Sequence, residues 1–294
     1  MRESKREGTT PFLKWAGGKR WLAPSIAQLV GGSDRLVEPF VGGAAVFFAS
    51  CPRRALLGDV NSELIATFRA VRDCPERIIS ELGKLRITHR CFDRIRDSRP
   101  VDDLSRAVRL IYLNRTAFNG LYRVNQRGQF NVPFGCKPGT RVCDEIAIRT
   151  TSRVLRSAEL VCQDFRATLS KAKATDVIYV DPPYTVRHDA NGFRRYNEKI
   201  FSWDDQQDLA NILGELVRRG ARVVVSNAHH KSVRAVYPNI LFHAFGVTRA
   251  TCMAGDPRRR GVCKEWLLIS ATFDETPSMI REILNGDRTP QKPR

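Results

Sequence analysis

At 294 residues with 42% hydrophobic content, the chain can hold one large α/β domain, or one plus a smaller insert. Its 49 Lys and Arg against 31 Asp and Glu give a formal charge of +18, which points to a polyanionic partner without choosing among DNA, RNA and an anionic membrane surface. No apolar run is long enough to span a bilayer, and Met1-Arg2-Glu3-Ser4-Lys5 lacks the apolar stretch of a secretory signal, so neither membrane insertion nor secretion is expected.

The eight cysteines are scattered without a C-x-x-C pair, and His229-His230 is an adjacent pair that points in different directions. No metal site is expected from them, and reduced thiols in a cytoplasm are. Residues 1–10 are polar and read as loose. In Lys14-Trp15-Ala16-Gly17-Gly18-Lys19, two glycines between an aromatic ring and a lysine make a loop of close backbone approach. It is not a triphosphate-binding loop: Arg20 stands where Ser or Thr should follow the lysine, and Leu13 where the first glycine should be. Trp15 and Lys19 suit stacking on, and pairing with, a smaller ligand that carries a carboxylate; simple packing of Trp15 into the core is the alternative. Residues 21–30 read as an amphipathic helix.

Leu36-Val37-Glu38-Pro39-Phe40-Val41-Gly42-Gly43 is a strand running into a glycine turn and a helix start, the first β-turn-α of a doubly wound sheet. Residues 55–59 form a second strand ending in Asp59, where such folds bind ribose hydroxyls, or where the acid simply caps the helix that Asn61 introduces. Residues 64–118 are mainly helical. From Asn114 to Gly135, Arg, Asn and Gln interleave with aromatic residues, and Asn119-Gly120 and Arg127-Gly128 are turn dipeptides. A basic, polar, aromatic loop or hairpin over 114–135 is the candidate DNA reader. A helix over 144–157 follows, then a strand over 160–165 that ends in an acid, Asp164.

Asp176-Val177-Ile178-Tyr179-Val180 is a buried strand, and Asp181-Pro182-Pro183-Tyr184 stops it, because proline cannot donate to a sheet ladder. The carboxylate and ring therefore sit on a stiff turn at a strand's carboxyl end, where open α/β sheets place their ligands. The acid and the turn's carbonyls can accept hydrogen bonds from a planar amino group while the ring stacks on the attached base. A charged loop covers 187–201. Ser202 opens a capped helix over 203–219, a strand covers 222–227, and further strands lie near 240–245 and 264–273. Arg258-Arg259-Arg260-Gly261 is a basic loop suited to phosphates, and the last nine residues read as a tail.

Taken in order, the Lys-Trp-Ala-Gly-Gly-Lys run, Glu-Pro-Phe-Val-Gly-Gly, the acid after strand two, the Asn-Gly-Leu-x-Arg region and Asp-Pro-Pro-Tyr resemble the Dam-type DNA adenine-N6 methyltransferases over about residues 11–272. The resemblance implies a doubly wound Rossmann-like α/β sheet with an inserted, mainly helical DNA-recognition domain. Residues 1–68 and 150–294 would be the catalytic domain and 69–149 the target-recognition domain. It implies S-adenosylmethionine as methyl donor, held by Trp15, Lys19, Asp59 and Asp181, with Glu38, Pro39, Phe40 and Gly42 forming the pocket and Asp164 and Phe165 flanking its adenine.

It also implies double-stranded DNA as partner, met by Lys14, Phe118, Asn119, Leu121, Arg123 and Pro133; Arg115, Asn125 and Arg127 of the reading loop join them. GATC is the favoured site. Phe118 stands where some relatives have Tyr, which keeps a wedge and loses a hydroxyl contact. The expected enzyme flips out an adenine and holds its amino group with Asp181 and Pro182 while Tyr184 stacks on the base. A monomer on DNA, in a cytoplasm and associated with the nucleoid, is expected. An RNA or cytosine-N4 methyltransferase, or a catalytically silent DNA-binding regulator on the same fold, are the alternatives.

Overall fold

The computed structural model describes residues 9–125, 127–136, 138–186, 201–250 and 262–286. The polar start, the basic stretch at Arg258-Arg259-Arg260-Gly261, the tail beyond 286 and most of the charged loop read over 187–201 lie outside the described residues.

Among the described residues, seven strands form one sheet in the order β3-β2-β1-β4-β5-β7-β6. They are β1 (Arg35–Glu38), β2 (Arg54–Asp59), β3 (Ala158–Cys162), β4 (Val177–Val180), β5 (Arg222–Ala228), β6 (Phe242–Ala250) and β7 (Val262–Ser270). The first five pair in parallel, and β7 inserts antiparallel between β5 and β6. Runs such as Val177-Ile178-Tyr179-Val180 are apolar throughout because both faces are covered. Alternate residues go to opposite faces: Leu36, Leu57, Val177, Tyr179, Leu267 and Ile269 join one buried cluster, and Val37, Leu56, Ile178, Val180 and Leu268 the other.

The first face carries α1 (Ala23–Val30), α2 (Ala45–Ser50) and α3 (Ser62–Asp73); the second carries α8 (Phe165–Leu169), α9 (Trp203–Arg218) and α10 (Lys231–Val236). Between β2 and β3, α3 leads into α4 (Pro75–Gly83), α5 (His89–Asp97), α6 (Asp103–Thr116) and α7 (Glu145–Leu155). α3 packs along α6 and α7, and Phe92, Leu110 and Tyr112 belong to the same buried cluster as the sheet's first face. α11 (Pro277–Gly286), beyond the last element expected from the sequence, packs against α1 with Ile280 and Leu284 buried.

Caps fix several of these boundaries. Asn61 accepts the Leu64 N–H at 3.0 Å, and Ser202 with Asp205 forms a reciprocal capping box ahead of α9. Each such cap contributes about 1 kcal/mol. One expected boundary is corrected: β3 ends at Cys162, not in an acid, because Asp164 turns out of the strand to accept the Arg166 N–H and cap α8. A second correction concerns the reading loop, whose first residues, including Arg115, are the last turn of α6.

The candidate active site and reading segment

The strand order reverses between β1 and β4, and the ligand crevice of such a sheet lies outside the carboxyl ends of those strands. Asp181 follows β4 there. Lys19, brought in by the glycine loop before α1, places its Nζ 2.8 Å and 2.9 Å from the two oxygens of Asp181 and 3.0 Å from the Gly17 carbonyl. Gly17 takes the loop through φ +75°, a left-handed conformation suited to glycine. The same Nζ lies 3.7 Å from Glu265 on β7 and 4.9 Å from the centre of the Tyr184 ring, whose hydroxyl donates to Glu265 Oε2 at 3.0 Å.

Of the three side chains around that ion pair, Lys19 is 3% exposed, Glu265 1% and Asp181 19%, so Asp181 is the one a substrate can reach. Burial pushes the Asp181 carboxyl above its ordinary range; the Lys19 charge and hydrogen bond pull it back down, and Glu265 pushes it up. Glu38, buried at the end of β1, is pushed up to about 8, chiefly by burial, with a backbone hydrogen bond from Phe47 opposing and the Asp181 charge adding to the rise. It is therefore largely a neutral acid at neutral pH.

Asp59, at the end of β2, accepts the N–H of Gly42 at 3.1 Å and of Asn61 at 2.9 Å; burial raises its pKa against those bonds. It thus bridges the first glycine turn to the cap of α3. The indole of Trp15 lies across that turn: a Cβ on Gly42 would meet Trp15 Cδ1 at 3.0 Å. Phe40 stacks on Phe165 at 5.3 Å, and Phe201 meets both rings at 5.5 Å and 5.7 Å. Pro39 and Pro182 are buried beside the two strand ends, while Asp164 stays exposed and caps α8.

These residues fit a small zwitterionic nucleoside. Glu38 Oε1 is buried without a hydrogen-bond partner in the described structure, an acid sits at the end of the second strand, and Phe40, just past β1, stacks on Phe165. An orphaned buried oxygen costs about 1–3 kcal/mol, which a bound donor would relieve.

The reading segment hangs from the same loop. The backbone of Lys14 exchanges two hydrogen bonds with the side chain of Asn114, at 2.9 Å and 2.7 Å, and Asn114 also donates to the Gly120 carbonyl at 3.0 Å. Gly120 has φ +66°, and a Cβ there would fall 2.5 Å from Lys14 Cδ and 2.8 Å from the Asn114 carbonyl oxygen. Trp15 stacks on Tyr122 with ring centres 5.0 Å apart, and the Tyr122 hydroxyl donates to Glu63, which also pairs with the buried Arg109. Isolated bridges join Ala117 to Phe134 and Val124 to Phe130, so the expected hairpin is short and irregular.

Phe118 is 51% exposed, and Asn119 beside it has φ +55°. Arg123, Arg127 and Pro133 are exposed; Leu121 is half-buried against the core. Arg123 donates to the Asn131 side chain at 2.8 Å. Asn125 is committed to its own turn: its oxygen accepts the N–H groups of Arg127 and Gln129, and its amide donates to the Gln129 side chain. Arg115 donates to the Phe12 carbonyl at 3.3 Å.

Trp15, Lys19, Glu38, Asp59, Asp181 and Tyr184, the residues expected at the ends of the strands, lie together there. Glu265, Phe201 and Tyr122 lie beside them without having been expected. A lone acid ahead of the apolar run Trp266-Leu267-Leu268-Ile269 was the available signal for the first.

The chain matches the model of the D12 class N6 adenine-specific DNA methyltransferase over residues 15–251. It is 34% identical over 250 residues to a type II methyltransferase of Lactococcus lactis subsp. cremoris, covering 81% of this chain and 88% of that protein. It is 30% identical over 281 residues to a type II methyltransferase of Methanocaldococcus jannaschii, covering 86% and 96%. It is 32% identical over 257 residues to the DNA adenine methylase of Escherichia coli strain K12, covering 85% and 91%.

Proposed function

The chain belongs to the D12 class of N6 adenine-specific DNA methyltransferases, and on that premise we propose that it moves a methyl group from S-adenosylmethionine to the exocyclic N6 of an adenine flipped out of duplex DNA, within GATC. The observation that carries this reading is the reachable Asp181 carboxylate, paired to buried Lys19 on a proline-stiffened turn with the Tyr184 ring beside it.

When bound, S-adenosylmethionine supplies an electrophilic methyl group on a sulfonium. Trp15, Lys19, Glu38, Pro39, Phe40, Gly42, Asp59 and Asp181 would hold it, with Asp164 and Phe165 flanking its adenine. The exocyclic nitrogen of adenine is a poor nucleophile because its lone pair is delocalised into the ring. Asp181 and the Pro182 carbonyl accept its two N–H bonds, which favours a pyramidal nitrogen with the lone pair exposed. The proton becomes acidic only once the new N–C bond has formed, so Asp181 has to hold it rather than abstract it. Burial raises the Asp181 pKa, and the Lys19 charge and hydrogen bond work against that rise. Tyr184 stacks on the base.

Residues 69–149 act as the recognition domain in this reading. Exposed Phe118 occupies the vacated stack, Lys14, Asn119, Leu121, Arg123 and Pro133 meet bases, and Arg115, Asn125 and Arg127 complete the DNA contacts. The enzyme works on double-stranded DNA as a monomer in the nucleoid, and the net charge of +18 favours that partner.

Expression in a methylation-free host followed by genome-wide mapping of modified bases tests the reading. N6-methyladenine confined to GATC is expected. Modified cytosine, modified RNA with unmodified DNA, or an unmodified genome from a folded protein would each overturn it.

A further inference from the structure

A row of polar side chains crosses the sheet face that holds α1, beneath the Asp-Pro-Pro-Tyr turn. Glu38 ends β1, Tyr179 lies on β4, Ser226 on β5 and Glu265 on β7; the first and last are 1% exposed. The Tyr179 hydroxyl and Ser226 Oγ are 2.9 Å apart, which ties the middle of the row together. At its end, Glu265 meets Tyr184 and Lys19, two of the side chains that surround Asp181. It accepts the Tyr184 hydroxyl at 3.0 Å and lies 3.7 Å from Lys19 Nζ, which in turn holds both oxygens of Asp181.

Glu265 is too buried to meet a substrate, and a buried carboxylate is costly unless its partners are fixed. Both partners come from elsewhere in the chain: Lys19 from the glycine loop and Tyr184 from the turn after β4. β7 is also held on both sides, against Ala228 of β5 and Val247 of β6, so the carboxylate rides on a rigid strand.

We propose that Glu265 is a positioning residue for methyl transfer: it anchors the far end of the Tyr184 ring and shares Lys19 with Asp181, so that ring and acid are set before the base arrives. This rests on the role assigned above to Asp181 and Tyr184. A tyrosine fixed only at its backbone end can rotate about two side-chain bonds; one whose hydroxyl is bonded to a strand-borne carboxylate cannot. Among the described residues, the groups facing Glu265 include Lys19, Asp181, Tyr184 and Tyr179, and of these Lys19 is the cation.

The test uses the full chain, with a GATC duplex and S-adenosylmethionine. Glu265→Ala is expected to lower kcat by roughly 10- to 100-fold, the loss of a hydrogen bond to a charged group. Tyr184→Phe combined with it should cost clearly less than the product of the two single effects, because the changes share the hydroxyl–carboxylate bond. S-adenosylhomocysteine binding, measured by calorimetry, should change by less than about threefold. Glu265→Gln keeps an acceptor for Tyr184 and removes the charge that disfavours ionised Asp181. It should move the acid limb of the kcat/KM profile to lower pH, which simple loss of packing would not do.

Full activity in Glu265→Ala, independent multiplying effects of the two changes, or an unshifted acid limb in Glu265→Gln would overturn the proposal. Absence of adenine methylation by the unsubstituted protein would instead sink the underlying reading. If Glu265→Ala does not fold, the pH profile of the near-isosteric Glu265→Gln decides alone.

Discussion

The strand-end pocket and the reading segment are built from opposite materials. In the pocket, buried Lys19 and Glu265 hold half-buried Asp181 and Tyr184 through ion pairs and a hydrogen bond. At the outer end of the reading segment, exposed Arg123 is bonded to exposed Asn131, and half-buried Asn125 to exposed Gln129. A buried charge pair gains little net stability but holds one geometry, which suits chemistry on a small ligand. An exposed pair is worth little and is readily exchanged for base edges and phosphates, which suits recognition. The two meet at Lys14-Trp15, whose backbone is held by Asn114 and whose indole stacks on Tyr122. Changes in the pocket should therefore abolish turnover and spare DNA binding, while changes in the segment should do the reverse.

The largest expected effect is Asp181→Ala. It removes the proposed acceptor for the amino group and takes from Lys19 its nearer carboxylate, leaving Glu265 and the Gly17 carbonyl. Methyl incorporation into a GATC duplex should fall by at least about 10³-fold, while duplex affinity in a gel-shift assay stays within a few-fold of the unsubstituted protein. A fall in DNA affinity as large as the fall in rate would erase the division between the two regions.

The next is Glu38→Gln, read as stability against pH. Glu38 has its folded pKa raised from 4.5 to about 8. Between those values the unfolded state has lost a proton that the folded state keeps, so stability falls as pH rises through that window and the penalty is absent below it. Glutamine does not titrate. The substituted protein should therefore gain on the parent by on the order of 3 kcal/mol between about pH 5 and about pH 7.5, as measured by urea unfolding of the ligand-free proteins. An unchanged difference across that range would mean that Glu38 is ionised in the fold.

The pocket was more legible in the sequence than the segment, for a physical reason. Asp181 and Asp59 follow unbroken β-branched or leucine-rich runs, and a strand that ends in an acid puts that acid at the sheet's edge whatever surrounds it. Glu265 was not legible. Lys264-Glu265-Trp266 reads as the start of a half-exposed strand, and its burial comes from β6 outside it and from Lys19, far away in sequence. In the reading segment, composition suggested base-reading side chains throughout, but local geometry divides them: Asn125 closes its own turn, while Arg123 stays exposed across a pair of strand-like residues. Short polar residues compete for nearby backbone groups, and composition cannot say which win. The early end of β3 has the same origin, since Asp164 takes a backbone N–H of α8.

Gly120→Ala tests the junction. The left-handed backbone costs a side chain about 1 kcal/mol, and the new Cβ would press on Lys14 and on the Asn114 carbonyl. A stability loss of roughly 1–3 kcal/mol is expected from thermal unfolding, together with a reduced preference for GATC over singly substituted duplexes, because Lys14 must move. Loss of stability with the preference intact would separate Lys14 from the reading function.

The smallest effects distinguish two exposed arginines: Arg123 beside Asn131, and Arg127 at the tip of the Asn125 turn. If Arg123 reads a base, Arg123→Ala should cost about 1–3 kcal/mol against GATC and much less against duplexes altered at the contacted position. If Arg127 meets a phosphate, Arg127→Ala should weaken all duplexes alike and reduce the slope of log affinity against log salt by about 1. Fluorescence anisotropy on matched duplexes over a salt series measures both. Equal losses with the same salt slope would mean that the segment holds DNA only by charge, and the contrast with the pocket would then lie in burial alone, with sequence choice made elsewhere in the chain.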